Sequence, residues 1–291
     1  MIDRLLRRTV ALLERVHPPS TSRLAQALFI TPPRHRAPAR ERESLRHLTP
    51  LRIPYGKGHL RAHSRGTGPL VLLLHGWGGR GGQLRGFAAA LADAGFRAVL
   101  LDAPAHGGSP GWQSSIPQFA EALRAAEAHL GPIHGIVGHS LGGISTLAAL
   151  ADGLEARRAV VVAAPSHPQR FYRHLLERLG VPPTRWEELE AAFEARVGRA
   201  WREVEGAALA RRITVPLLVV HDDQDREIPL AEAVATAAAQ PGARLLTTSG
   251  LGHRRILKDP HVIREVVRFM GSEPCGPAAL ERELAYPDLR D

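Results

Sequence analysis

From about residue 58 onward the chain carries two alternating patterns of apolar residues. Short runs of Val, Leu and Ile fall at 70–74, 97–101, 133–137, 159–163, 216–220 and 244–248, with almost no polar residue between. An unbroken apolar run of this length predicts a strand buried on both faces. Between the runs, the stretches 82–94, 117–130, 140–152, 230–239 and 260–269 have helical character. Strands that alternate with helices build a mostly parallel sheet covered by helices on both sides, so the fold class is α/β.

Two stretches break the alternation. Before residue 58, an amphipathic basic helix (Ile2, Leu5, Leu6, Leu12, Leu13, Val16) precedes a Pro-rich region. Its apolar stripe is expected to dock on the domain's own surface, and peripheral membrane contact is the lesser alternative. The stretch 165–212 is too long for a plain connection between strands. Phe171, Leu175, Leu176 and Leu179 recur in it at helical spacing, as do Trp186, Leu189, Phe193, Val197 and Trp201. These stripes predict a small helical lid inserted between two strands, with Phe171, Leu175 and Phe193 lining a substrate pocket. Trp186, Phe193 and Trp201 read equally well as anchors of the insert. The organisation expected is an N-terminal helical extension (1–57), an α/β core (58–164 and 213–271), the lid (165–212) and a tail (272–291) that is a peripheral helix or loosely ordered.

Composition narrows the class of protein. With 44% hydrophobic residues in 291, the chain is long enough for one large core. No run approaches the roughly 18 apolar residues of a membrane span. The single cysteine, Cys275, cannot form an intramolecular disulfide; a reduced cytoplasm is the expected location. Glu14 and Arg15 interrupt the first apolar stretch before it reaches the length of a signal-peptide core. The net charge of +9 is spread along the chain and aromatic residues are only 5%, a poor match to a nucleic-acid surface.

The strongest chemical signal is GHSLGG at 138–143, which follows the apolar run 133–137 and precedes the helix-forming ISTLAALAD. G-x-S-x-G in a strand–turn–helix context displays a serine on a sharp, strained turn. Gly138 and Gly142 must then be small, and the following helix directs its positive end at Ser140. A serine hydroxyl needs an adjacent base, and the base needs a partner that fixes its tautomer. HDDQDREIP follows the run 216–220, and GLGHRRIL lies near the carboxyl end. Among Asp222, Asp223 and Asp225, the last is favoured because it sits farther into the loop that must reach the histidine. Of the 15 histidines, His253 has the required place in the chain. His139 is expected to pack under the turn, and His106 and His221 to lie near the site without a required role.

Acyl transfer also needs donors where negative charge develops. The backbone N–H groups of Leu141, after the serine, and of Trp77, in HGWGG at 75–79, are the candidates for this oxyanion hole. HGWGG lacks the G-x-x-x-x-G-K-[ST] spacing of a phosphate loop, and the histidines lack the tight spacing of a metal site. No cofactor and no metal are expected.

HGWGG, LDAPAHGGS (101–109), GHSLGG and the Asp225 and His253 loops together resemble the α/β-hydrolase superfamily in order and spacing, over about residues 58–271. In that family the second of these segments, Asp102 to Ser109 in this chain, usually reads D-x-x-G-x-G-x-S; here Ala105 replaces the first glycine. The resemblance implies a serine hydrolase, most simply a carboxylesterase acting on a small-molecule ester through an acyl-enzyme. Thioesterases, amidases and C–C hydrolases use similar machinery, and a non-catalytic ligand-binding protein on the same fold is the alternative of another class. The acyl and alcohol groups and the oligomeric state are open at this level.

Overall fold

The computed structural model describes residues 2–272. The tail beyond 272 and Cys275 lie outside the described residues. An eight-stranded sheet has the order β1-β2-β4-β3-β5-β6-β7-β8. β1 (Thr49–Tyr55) and β2 (Gly58–Arg65) form an antiparallel hairpin at one edge, and β2 pairs antiparallel with β4 (Arg97–Leu101). β3 (Leu70–Leu74), β5 (Ile133–His139), β6 (Ala156–Val162), β7 (Leu217–Asp222) and β8 (Arg244–Thr248) continue the sheet in parallel.

The hairpin is the main departure from the expected organisation, because the boundary at 57 and 58 falls in its turn. β1 carries Pro50 and Pro54 and buries only Ile53. Proline cannot donate to a sheet ladder, which confines such a segment to an edge and hides it from a search for apolar runs. β2 buries Leu60, Ala62 and Ser64 at every second position, the alternation of a strand with one solvated face.

Before the hairpin come α1 (Ile2–Val16), α2 (Pro18–Ile30) and α3 (Ala39–Arg46). Of the stripe expected in α1, Leu6 packs against the core and Leu13 is half-buried, but Leu12 and Val16 turn outward. Val10 is fully buried, whereas Leu12 and Val16 are 62% and 72% exposed. Between strands run α4 (Arg85–Asp93), α5 (Ile116–Leu130) and α6 (Leu141–Ala151). The stretch between β6 and β7 holds α7 (Gln169–Leu179), α8 (Trp186–Val197), a 3₁₀ turn at Trp201–Val204 and α9 (Gly206–Ala210). α10 (Leu230–Ala239), α11 (Gly252–Arg255) and α12 (Pro260–Gly271) complete the chain.

Successive residues of a strand face opposite sides, and the core divides accordingly. Leu70, Leu72 and Leu74 pack with Phe119 and Leu123 of α5 and Ile144 and Leu147 of α6. Val71 and Leu73 pack with Phe87 and Leu91 of α4 and Val266 and Phe269 of α12. The chain leaves β3 toward β4 over one face and returns over the other to β5, on the far side of β3. That reversal of strand order opens a crevice at the carboxyl ends of β3 and β5, where ligands bind in open α/β sheets.

Candidate active site

β5 ends at His139 and α6 begins at Leu141, so one residue, Ser140, makes the whole turn, at φ 51° and ψ −120°. For a residue with a Cβ this is a strained backbone. The turn is tight because the neighbouring glycines allow it. A Cβ on Gly138 would lie 2.5 Å from the Gly142 carbonyl oxygen, and one on Gly142 would lie 2.4 Å from that of His75.

Ser140 Oγ lies 3.0 Å from Nε2 of His253, and Nδ1 of His253 lies 2.8 Å from Oδ2 of Asp225. Nδ1–H therefore donates to the carboxylate, and Nε2 faces the hydroxyl as an acceptor. The other oxygen of Asp225 accepts the amides of Glu227 and Ile228 at 2.8 and 3.0 Å. Burial would push the Asp225 carboxyl up. The hydrogen bond and charge of His253 and the two amides outweigh it and hold the group below the usual carboxylate range.

Asp222, which competes for the same role in the sequence, sits elsewhere. Its buried carboxylate accepts the Thr248 hydroxyl at 2.7 Å, the Leu251 amide at 3.0 Å and the Gln224 amide at 3.1 Å. It ties the Asp225 loop to the His253 loop. Asp223 is exposed. His221 Nε2–H donates to the Ile228 carbonyl at 2.9 Å and braces the Asp225 loop from below. His139 is buried, its Nε2–H donating to the His253 carbonyl at 2.9 Å.

Trp77 and Gly78 are the corners of a turn closed by the Gly79 amide on the Gly76 carbonyl at 3.0 Å. His75 holds this turn to the 102–109 segment. Its Nδ1–H donates to the Gly76 carbonyl at 2.7 Å, and its Nε2 accepts the Ala103 amide at 3.1 Å. Leu141 opens α6, so its amide has no acceptor within the helix. Among the described residues, neither the Trp77 nor the Leu141 amide donates to a carbonyl in the surrounding turns. Asp102 fixes the segment that follows, accepting the amides of Gly81 at 2.7 Å and Gly108 at 2.8 Å. Ala105, in place of a glycine, has φ 64° and is fully buried.

Ser140, Leu141, Trp77 and His253 line a cavity of about 980 Å³, at the upper end of the range for small-molecule sites. Phe171, Leu175 and Phe193 line it too. They differ in setting: Phe171 is 37% exposed, whereas Phe193 is buried and stacks on Tyr172 and Trp201, with ring centroids 4.9 and 5.0 Å away. Trp186 is half-buried and donates its indole N–H to the Val181 carbonyl at 3.1 Å. The cavity has a further wall absent from the sequence reading: Leu28, Phe29, Ile30 and Pro33, from the end of α2 and the loop after it. The apolar LAQALFI before two prolines was the available signal.

Among the described residues, no helix is long and apolar enough to cross a membrane, and no group of three or more His, Cys, Asp or Glu side chains could hold a metal ion.

A family model for the alpha/beta hydrolase fold matches residues 69–196. A pimeloyl-(acyl-carrier protein) methyl ester esterase of Xanthomonas axonopodis pv. citri is 31% identical over 251 residues, covering 72% of this chain and 98% of that protein. The chain belongs to the α/β-hydrolase family. Among solved structures, a putative lipase from Acinetobacter baumannii AYE has a TM-score of 0.62 at 20% identity, covering 79% of this chain and 93% of the other. An esterase from a Rhodococcus species has a TM-score of 0.59 at 20% identity, covering 77% and 99%. At these identities the structural likeness speaks for the shared fold.

Proposed function

We propose that this α/β-hydrolase is a serine esterase that cleaves carboxylic esters through an acyl-enzyme, with Ser140, His253 and Asp225 as its catalytic triad. The reading rests on the unbroken hydrogen-bond chain from Asp225 through His253 to Ser140, which ends at the wall of a large cavity. His253 Nε2 takes the hydroxyl proton as Ser140 attacks the ester carbonyl, and later returns it to the leaving alkoxide. Asp225, held as a carboxylate, fixes the tautomer and stabilises the imidazolium. The amides of Leu141 and Trp77 stabilise the oxyanion, and water attacks the acyl-enzyme with His253 as base in the second half of the cycle.

The substrate is a small-molecule ester, and the insert at 165–212 acts as the lid over it, with Phe171, Leu175 and Phe193 against the substrate. The name of the relative from Xanthomonas, a methyl ester esterase, makes methyl esters of medium-length acyl groups the first to try. The test pairs a fluorophosphonate probe with an ester panel of increasing acyl length. A single labelled peptide containing Ser140, with turnover lost in step with labelling, is the expected result. Turnover that survives complete labelling of Ser140, or label on another residue, would overturn the assignment.

A further inference from the structure

We infer that the amino-terminal extension, through Leu28 and Phe29, forms the second wall of the acyl pocket and selects the apolar part of the substrate together with the lid. The inference rests on the esterase reading above and goes beyond it in assigning substrate selection to a segment that precedes the hydrolase core. The family model begins at residue 69, and the Xanthomonas relative leaves more than a quarter of this chain unmatched. The wall therefore lies outside the segment that the family model matches.

Three observations carry it. First, the ring of Phe29 packs edge-on against Tyr172, Phe193 and Trp201, with centroids 5.0, 5.3 and 6.2 Å away, so the extension and the insert share one aromatic cluster. Second, Leu28 is 39% exposed and lines the cavity that Ser140 and His253 also line. An apolar side chain left wet on a cavity wall gains by burial when an apolar ligand arrives. Third, Pro33 sits on the turn that carries the Trp77 amide: a Cβ on Gly78 would be 3.0 Å from the Pro33 ring.

The extension is also fastened where such a wall must be rigid. Glu41 is buried and paired by both oxygens with the Arg80 guanidinium beside the Trp77 turn. The Arg34 guanidinium donates to the carbonyls of Ala105 and Gly111, and the Ile30 carbonyl accepts the Ser114 amide at 2.8 Å. Arg185 at the start of α8 pairs with Glu14 of α1 at 3.0 Å. Phe171, Leu175 and Val197 line the same cavity. The apolar side chains of both walls fit an extended or ring-bearing hydrocarbon group, and charged residues such as Arg40 and Arg199 also line the cavity.

The test uses the full chain and measures kcat/KM for the p-nitrophenyl esters of acetate, hexanoate and decanoate. Wild type is compared with Leu28→Trp, Leu28→Ala and Phe29→Ala, each also followed by thermal melting and by the rate of fluorophosphonate labelling. Leu28→Trp narrows the pocket and is expected to lower the decanoate-to-acetate ratio about tenfold or more, with melting close to wild type. Leu28→Ala should move the ratio the other way. If Phe29→Ala melts too low to assay, the Leu28 pair still decides, since Leu28 is exposed enough to change at little cost in stability. A ratio that stays within about twofold of wild type in both Leu28 variants, with hydrolysis intact, overturns this inference alone. A wild-type chain that neither labels nor hydrolyses any ester overturns the esterase reading and this one with it.

Discussion

The floor of the cavity and its roof are held in different ways. On the floor, contacts with the backbone hold the loops that carry the proposed triad. Ser140 is fixed by a turn that closes only over glycine at 138 and 142, and the His253 loop hangs from the Asp222 carboxylate. The roof is held by side chains. Arg173 and Glu190 tie α7 to α8 through two contacts at 2.6 and 3.1 Å, and the aromatic cluster joins both to α2. A floor set by backbone contacts keeps its geometry to a fraction of an ångström, as the chemistry requires. A roof made of side chains can change one residue at a time, and on the proposed reading the preferred substrate changes with it.

The sharpest break between the two regions is at the serine. Ser140→Ala is expected to lower turnover by about a millionfold while melting shows a stability change within about 1 kcal/mol. Roof substitutions should approach neither figure for turnover. An active, folded Ser140→Ala variant would remove the floor from the mechanism.

Next comes the acid. Asp225→Asn should cost about ten-thousandfold in kcat, because the tautomer that presents Nε2 to Ser140 is lost. Asp222→Asn removes an acceptor from a buried site that ties two loops, so it should lower stability by roughly 2 to 4 kcal/mol and turnover far less. Asp223→Asn, on an exposed side chain, should do neither. Denaturant melts beside steady-state kinetics on the three variants give the ranking, and a larger kinetic loss at Asp222 would move the assignment.

The two regions were not equally legible in the sequence. Buried parallel strands need unbroken apolar runs, and three of the expected strands, 70–74, 97–101 and 244–248, coincide with β3, β4 and β8. Chain order brought Ser140, Asp225 and His253 to attention because the fold delivers its loops in that order. Choosing among three aspartates was harder, since the choice depends on a carboxylate's direction, which spacing does not encode. The hairpin was hidden by its prolines. The extension's share of the cavity was hidden for another reason: a wall shared by α2, α7 and α8 depends on packing between segments more than 130 residues apart, as with Phe29 and Tyr172. Such contacts leave no local pattern.

Titration separates floor from roof by a smaller effect. Burial pushes His75 down to about 4, His106 to about 4 and His139 to about 3, from an ordinary value of 6.5. All three belong to the floor. Above pH 6.5 they are neutral in both folded and unfolded chains, and their contribution is complete. As pH falls from 6.5 toward 4 the unfolded chain binds up to three protons that the folded chain refuses, so stability falls by as much as about 4 kcal/mol per pH unit. Asp102, which burial pushes up against the pull of the Gly108 and Gly81 amides, takes its proton earlier in the folded chain and offsets part of this loss at the acid end. Urea midpoints at half-unit steps of pH should show the fall, and His139→Gln should reduce its slope by about a third. An unchanged slope would mean that His139 is protonated in the fold.

Within the roof, anchors and lining residues should separate. Trp201 is buried in the aromatic cluster and Phe171 is not. Trp201→Ala should destabilise by about 3 to 5 kcal/mol. Phe171→Ala should change stability by less than about 1 kcal/mol and shift the ratio of long to short acyl esters by about tenfold. If Phe171, Leu175 and Phe193 variants all melt lower with no change in that ratio, the segment 165–212 is a structural brace and no lid.

The smallest effect is expected at the outer edge of the roof, in α1. Val10 is fully buried, whereas Leu12 and Val16 face outward on the same helix. Val10→Ala removes two buried carbons and should cost about 1 to 3 kcal/mol, a few degrees in melting temperature for a chain of this size. Leu12→Ser and Val16→Ser remove only exposed surface and should stay within about 0.5 kcal/mol. The pair also tests the alternative that α1 meets a membrane surface. In that case the two exposed residues would be the buried ones on vesicles, and their replacement by serine would weaken flotation with anionic vesicles while leaving the melting temperature in solution unchanged. If neither flotation nor melting responds, Leu12 and Val16 are simply apolar residues left on the surface, and the function of α1 is to carry Glu14 to Arg185 and Val10 into the roof.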